Sequence, residues 1–236
     1  MEVVPQFVYL GRIVSDNGSL DKEVSARLAE AARVFGCLRK PIFELRGLST
    51  STKRMVYKSV VLSTLFYGAE TWAVKAEHLR KLNSFHRTCI RSIAGVSKAR
   101  QWKDHITSEN LAQSCGIEGD IAELLQQRRL RWLGHIAPMD ATRLPKQILF
   151  AELRATRPRH GPKKRFRDVA AADCAHLRVT HDWYQLAQDR KAWWERCHTK
   201  PEEDLSPANE FSCRCGRTFR HRSDRTRPEK FCRSPV

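Results

Sequence analysis

Apolar residues recur at three- and four-residue intervals along most of this 236-residue chain, and that period constrains the fold more than any other feature. Val24, Leu28, Ala31, Phe35 and Leu38 trace one helix from Ser19, with Asp21 and Glu23 near the positive end of its dipole. Gly36 and Pro41 mark where that helix should weaken or stop. A second helix opens at the hydroxyl cluster of residues 49–52, which offers N-caps. It runs through Val56, Val60 and Phe66 and ends about Gly68. A third begins near Ala76, carries Leu79, Leu82, Phe85, Ile90 and Ile93, and stops at Gly95. Three amphipathic helices with short connections predict a small bundle.

The period is different at the ends. Residues 7–14 alternate weakly and are rich in β-formers, with a turn signal at Asp16-Asn17-Gly18, so a short N-terminal hairpin or strand stub is expected. Past the bundle, Asp120 precedes a helix with Ile121, Leu124 and Leu125 that continues into residues 128–132, with Gly134 as its stop. Phe166, Val169, Cys174 and Leu177 outline a further helix. Thr180 then caps a last one with Trp183, Leu186, Ala187 and Trp193 or Trp194. The expected fold is mainly α, divided as a strand stub (1–18), a helical bundle (19–95), a basic helical domain (96–197), a linker (198–210) and a basic irregular tail (211–236).

Charge narrows the partners. Lys and Arg number 43 against 26 Asp and Glu, a formal +17, and such a field favours polyanions. Twelve of those charges come from two short stretches, residues 154–168 and 211–236. Lys163, Lys164, Arg165 and Arg167 are candidates for nucleic-acid contact, since clustered cations displace counterions from a phosphate backbone. The alternatives are a solvated loop or a nuclear import signal at residues 162–165. The basic clusters are turn-like rather than amphipathic, which speaks against a membrane surface. No N-terminal leader pattern is visible, and the longest apolar stretch is too short to span a bilayer. Cys37, Cys89, Cys115, Cys174 and Cys197 are scattered singly, as core thiols in a reducing compartment are. An intracellular protein of nucleus or cytoplasm is expected.

Within residues 121–134 the 100° helical step puts Arg128 and Arg131 on one side, with Leu125 and Trp132 toward another. Trp132 is therefore expected in the core, while Arg128, Arg129 and Arg131 stay candidates for RNA contact. Trp183, Trp193 and Trp194 can stack on bases, but tryptophans at helical spacing are more often core. Glu70 has no second carboxylate or His at a useful spacing; its expected role is to close the second helix and help seat Trp72. No Gly-rich phosphate loop, no His-Glu-x-x-His and no nucleophile elbow is present.

The signatures also occur in an order. Phe7-Val-Tyr-Leu-Gly11 comes first, then Tyr67-Gly-Ala-Glu-Thr-Trp72 and the basic helix through Gly134-His135. Arg143-Leu-Pro-Lys146, Gly161-Pro-Lys-Lys-Arg165, and Asp182-Trp183 with Asp189-Arg190 and Trp193 follow. This order resembles the region downstream of the polymerase palm in non-LTR (LINE-type) retrotransposon reverse transcriptases. The resemblance implies that the hairpin is a palm edge, the bundle a thumb-like clamp on template and primer, and the second domain a grip on RNA. It implies no enzyme in this chain alone. The family's metal-binding palm aspartates end in an Asp-Asp pair, and no such pair occurs here, so Mg²⁺ chemistry belongs to the parent polymerase. The pattern departs after Gly134-His135, where Pro138 rather than Arg precedes Met139, which removes one phosphate contact.

The tail is similar to that family's terminal zinc-finger-like motif, with Cys213, Cys215, His221 and Cys232 as four potential zinc ligands. The Cys-x-Cys spacing is tighter than tetrahedral sites normally use, and the alternative is a basic tail without metal. The expected partners are RNA and/or DNA, with no cofactor apart from that zinc. Other readings of the whole chain are a host-adopted nucleic-acid-binding protein and a relic without function.

Overall fold

The computed structural model describes residues 4–117, 120–151, 166–177, 179 and 183–198, and the backbone of 211–212 and 218–219. Residues Met1–His198 form one compact unit and Thr199–Val236 another. The chain is mainly helical, as the apolar period requires.

Strands β1 (Gln6–Tyr9) and β2 (Arg12–Ser15) pair antiparallel, with Tyr9 opposite Arg12 and Gln6 opposite Ser15. The two-residue turn between them puts both Leu10 (φ 47°) and Gly11 (φ 76°) in the left-handed region, the geometry that matches strand twist in tight hairpins. Most of the apolar side chains of β1 stay exposed. A buried carboxylate anchors the hairpin: Glu23 accepts from the Ile13 N–H at 2.6 Å and pairs with Arg12 and Arg27 at 3.7 and 3.3 Å.

Helix α1 (Asp21–Leu38) buries Val24, Ala31 and Phe35. Its regular turns stop at Leu38, between Gly36 and Pro41, as expected. The coil then widens into a π-type turn over Arg39–Phe43, where the Glu44 N–H reaches the Arg39 carbonyl at 2.8 Å. The wider turn accommodates a proline, which has no N–H to give. Helix α2 (Thr50–Val56) starts where the hydroxyls predict, with Ser49 Oγ accepting from the Thr52 N–H at 3.1 Å. It runs through a second π-type turn, Tyr57–Leu62, into α3 (Ser63–Leu65), and Gly68 turns the chain at φ 70°. Helix α4 (Ala76–Ile93) buries Leu82, Cys89, Ile90 and Ile93, and Gly95 follows it at φ 66°.

Two short helices lie where the sequence shows no period, α5 (Lys98–Lys103) and α6 (Ser108–Ser114), each capped by a side-chain hydroxyl, from Ser97 and Thr107. Helix α7 (Ile121–Ile136) is capped by Asp120. Helix α8 (Leu144–Phe150), α9 (Phe166–His176), α10 (Trp183–Leu186) and α11 (Arg190–His198) complete this unit.

Two apolar cores meet along α7. The first gathers Phe35, Phe43, Tyr57, Leu65, Phe66, Trp72 and Leu82 and extends past residue 95 to Ile117, Ile121 and Leu125. The second begins at Leu130 and takes in Leu133, Ala170, Cys174, Leu177 and Trp193. Gly134 does not stop α7. A Cβ there would lie 2.2 Å from Trp193 Cδ1, so the glycine lets α11 come close enough for the indole N–H to donate to the Leu130 carbonyl at 2.9 Å. Of the five single thiols, Cys89, Cys115 and Cys174 are buried, Cys197 is half-buried, and Cys37 is exposed because it faces out from α1. Among the described residues no helix is long and apolar enough to cross a membrane. In the second unit, β3 (Phe211–Ser212) pairs antiparallel with β4 (Thr218–Phe219), Phe211 opposite Phe219.

Candidate nucleic-acid interface

Helix α7 sorts its arginines. Leu125, Arg129 and Leu133 occupy successive turns of one row and all three are buried. Arg129 spends its guanidinium on Asp173 of α9, with Nε–Oδ2 at 2.6 Å and Nη2–Oδ1 at 3.0 Å. It is thus a core residue, and the expectation of an RNA contact at Arg129 is corrected. The adjacent row carries Arg128, Arg131, Trp132 and His135, which line one trough. Trp132 is half-exposed, not core as expected, because its four-residue spacing from Arg128 places it on the trough side. Its ring lies 5.4 Å from that of His135.

The trough consists of three adjoining hollows. One of about 500 Å³ lies between the hairpin residues Tyr9, Leu10 and Arg12 and residues Tyr67, Gly68 and Glu70. A second, of about 480 Å³, shares Arg12, Glu70 and Arg128 with it and adds Arg131, Trp132 and His135. The third, of about 200 Å³, shares Arg131 and His135 and runs to Arg190, Trp194 and His198 of α11. Four arginines thus face one lining carboxylate, Glu70.

Two of these cations, Arg12 and Arg128, are held in place. Arg12 Nη2 donates to Thr71 Oγ1 at 3.0 Å. Arg128 lies over the Phe66 ring at 4.9 Å and 3.9 Å from Glu70. Burial, with Arg131 adding to it, pushes the Arg128 guanidinium below its ordinary value, against the pull of Glu70. An arginine stays charged regardless. Arg27 stacks on Tyr67 at 5.0 Å, and the Tyr67 hydroxyl donates to the Leu10 carbonyl at 3.2 Å, tying the hairpin tip to the end of the bundle. Glu70 therefore acts electrostatically on Arg128, while Trp72 fills the core beside it.

Aromatic faces flank the charge. Trp194 is 60% exposed and stacks on His198 with centroids 4.2 Å apart. Trp193 is core, and Trp183 is half-buried against Phe150 and Trp193. Arginines, two of them held in place, beside an exposed Trp194 and a half-buried Trp132 can grip backbone phosphates and stack bases. Lys146 serves the fold instead, because its ammonium donates to the carbonyls of Ala137 and Met139 and closes the C-terminal end of α7.

Arg167 is exposed on α9 and is not among the trough residues. Lys163, Lys164 and Arg165, and the four zinc-ligand candidates Cys213, Cys215, His221 and Cys232, lie outside the described residues. Among the described residues no three His, Cys, Asp or Glu side chains form a metal-sized group. Sequence reasoning missed Arg12, Arg190 and His135 as parts of the trough. Only the tertiary fold brings Arg12 to Arg128.

No protein-family profile matches the chain, and no solved structure matches it. It is similar to a putative uncharacterized transposon-derived protein of Caenorhabditis elegans, 22% identical over 201 residues that cover 82% of this chain and 70% of that protein. That similarity supports a transposon-related origin.

Proposed function

We propose that this chain is a nucleic-acid-binding piece of a non-LTR retrotransposon reverse transcriptase, and that it grips RNA along the trough between the hairpin, α7 and α11. The observation that carries the reading is the trough-side row of α7, where Arg128, Arg131, Trp132 and His135 share one trough with Arg12 and Arg190. The order of signatures from Phe7 to Trp193 and the similarity to a transposon-derived protein support the same origin. In this reading the arginines hold phosphates while Trp132 and Trp194 offer faces to unpaired bases. The chain alone carries out no polymerisation, for want of the paired aspartates that would hold divalent ions. Photo-crosslinking of the full chain to an RNA oligonucleotide, followed by peptide mapping, tests the reading. Crosslinks should fall on the peptides with Trp132 and Trp194. Crosslinks confined to residues 211–236 would refute it.

A further inference from the structure

A second basic hollow lies at the other end of α1. It has a volume of about 590 Å³ and is walled by the end of α1, the π-type turn after it, α2 and the C-terminal turn of α4. It shares no residue with the trough. Arg39, Arg46, Lys53, Arg91 and Lys98 line it against a single carboxylate, Glu44, which is already engaged by Arg39 at 2.6 Å.

Lys53 is the decisive residue. It is 9% exposed and lines the hollow, yet no carboxylate among the described residues pairs with it. Its place in the fold is fixed by Tyr57, four residues on and fully buried, which turns that side of α2 inward. An ammonium taken out of water without a counter-ion is costly, and like charges around it raise the cost. Ser92 belongs to the same wall, but its hydroxyl is closed off from the hollow. Arg91 is steadied by a 2.9 Å bond from its Nη2 to Thr88 Oγ1. Such a concave wall, with a buried point charge and forked guanidinium donors, has the chemistry of a phosphate cradle.

We infer that this hollow is a second anion site, separate from the trough, that takes phosphate groups. The phosphates come either from a nucleic-acid backbone or from a free phosphate-bearing ligand. The inference does not rest on the trough reading. The probe is sodium tripolyphosphate, and the readouts are its affinity and the melting temperature of the full chain, since a ligand that binds only the folded state raises the melt. Wild type should gain in melting temperature. Arg46 and Lys98 are exposed, so the Arg46→Gln/Lys98→Gln variant should melt as wild type without ligand and bind tripolyphosphate about tenfold more weakly or worse. Lys53→Met should melt no lower than wild type without ligand and lose most of the gain. Arg131→Gln should keep the full gain, which separates this site from the trough.

RNA binding by the Arg46→Gln/Lys98→Gln variant then identifies the source. A weaker, less salt-dependent RNA affinity assigns the phosphates to a backbone. Unchanged RNA affinity with tripolyphosphate binding lost assigns them to a free ligand. Tripolyphosphate that binds this variant as tightly as wild type, or that leaves the wild-type melt unchanged, overturns the inference.

Discussion

Arg129 and Asp173, 44 residues apart in sequence, form a two-bond ion pair inside the second core, both side chains under one-tenth exposed. The pair clamps α9 to α7. Arg129 Nη1 is buried without a hydrogen-bond partner, so the clamp carries an uncompensated polar group. Removing one partner strands the other. Asp173→Ala should therefore lower stability by about 3–5 kcal/mol, whereas Arg129→Met with Asp173→Leu should recover most of that loss. Denaturant melts of the single and double variants check both outcomes.

Gly134 tests the contact between α7 and α11. An alanine favours a helix interior by about 1 kcal/mol, but here its Cβ would lie 2.2 Å from the Trp193 ring. The indole is buried and its N–H is fixed on Leu130, so it has little room to yield. Overpacking should win, and Gly134→Ala should cost about 1–3 kcal/mol, read from thermal or urea unfolding.

The helices of the bundle were legible because their apolar residues follow one period, from Val24 to Phe35 and from Leu79 to Ile93. The Ser49 cap was legible from its hydroxyls. Gly36 and Pro41 bracket the point, Leu38, where the regular turns of α1 give way to a π-type turn, so local propensity was a sound guide there. At Gly134 tertiary packing overrides propensity, because Trp193 needs the glycine. Arg129 was hidden by the two arginines near it, although its four-residue spacing from Leu125 and Leu133 marks the buried row. The same spacing between Arg128 and Trp132 marks the trough row. Arg12 had no local signal at all. Its role depends on the hairpin folding back to α7 and on a buried glutamate, a residue type that composition assigns to the surface.

Acid should loosen the start of the bundle. Asp21 is held down at about 2, chiefly by the Ser19 hydroxyl and then by His78, which sits 2.6 Å away and is itself buried. A carboxylate whose folded value is depressed stabilises the fold above its unfolded value, near 3.8, and loses that contribution as pH falls toward 2. The Asp21 side chain is 56% exposed, so solvent screens the effect and its size is small. Asp21→Asn should flatten the drop in melting temperature between about pH 4 and pH 2 while shifting the neutral-pH melt little.

Thiol reactivity should follow burial. Burial pushes Cys174 up to about 12 and Cys197 up to about 11, and raises Cys89 further. In the native chain iodoacetamide should modify the exposed Cys37 well before Cys89, Cys115 or Cys174, as peptide mapping by mass spectrometry would read. Rapid modification of Cys174 in the folded protein would mean that the second core opens.

RNA affinity measured against salt concentration tests the trough most directly, in wild type and in an Arg128→Gln/Arg131→Gln/Arg190→Gln variant. Each phosphate contact on a single strand contributes about 0.7 to the slope of log affinity against log salt, so the triple variant should be shallower by roughly 2. It should also bind more weakly at low salt while still melting cooperatively. An unchanged slope and affinity in a folded triple variant would place the RNA elsewhere on the chain and contradict the trough as its binding surface.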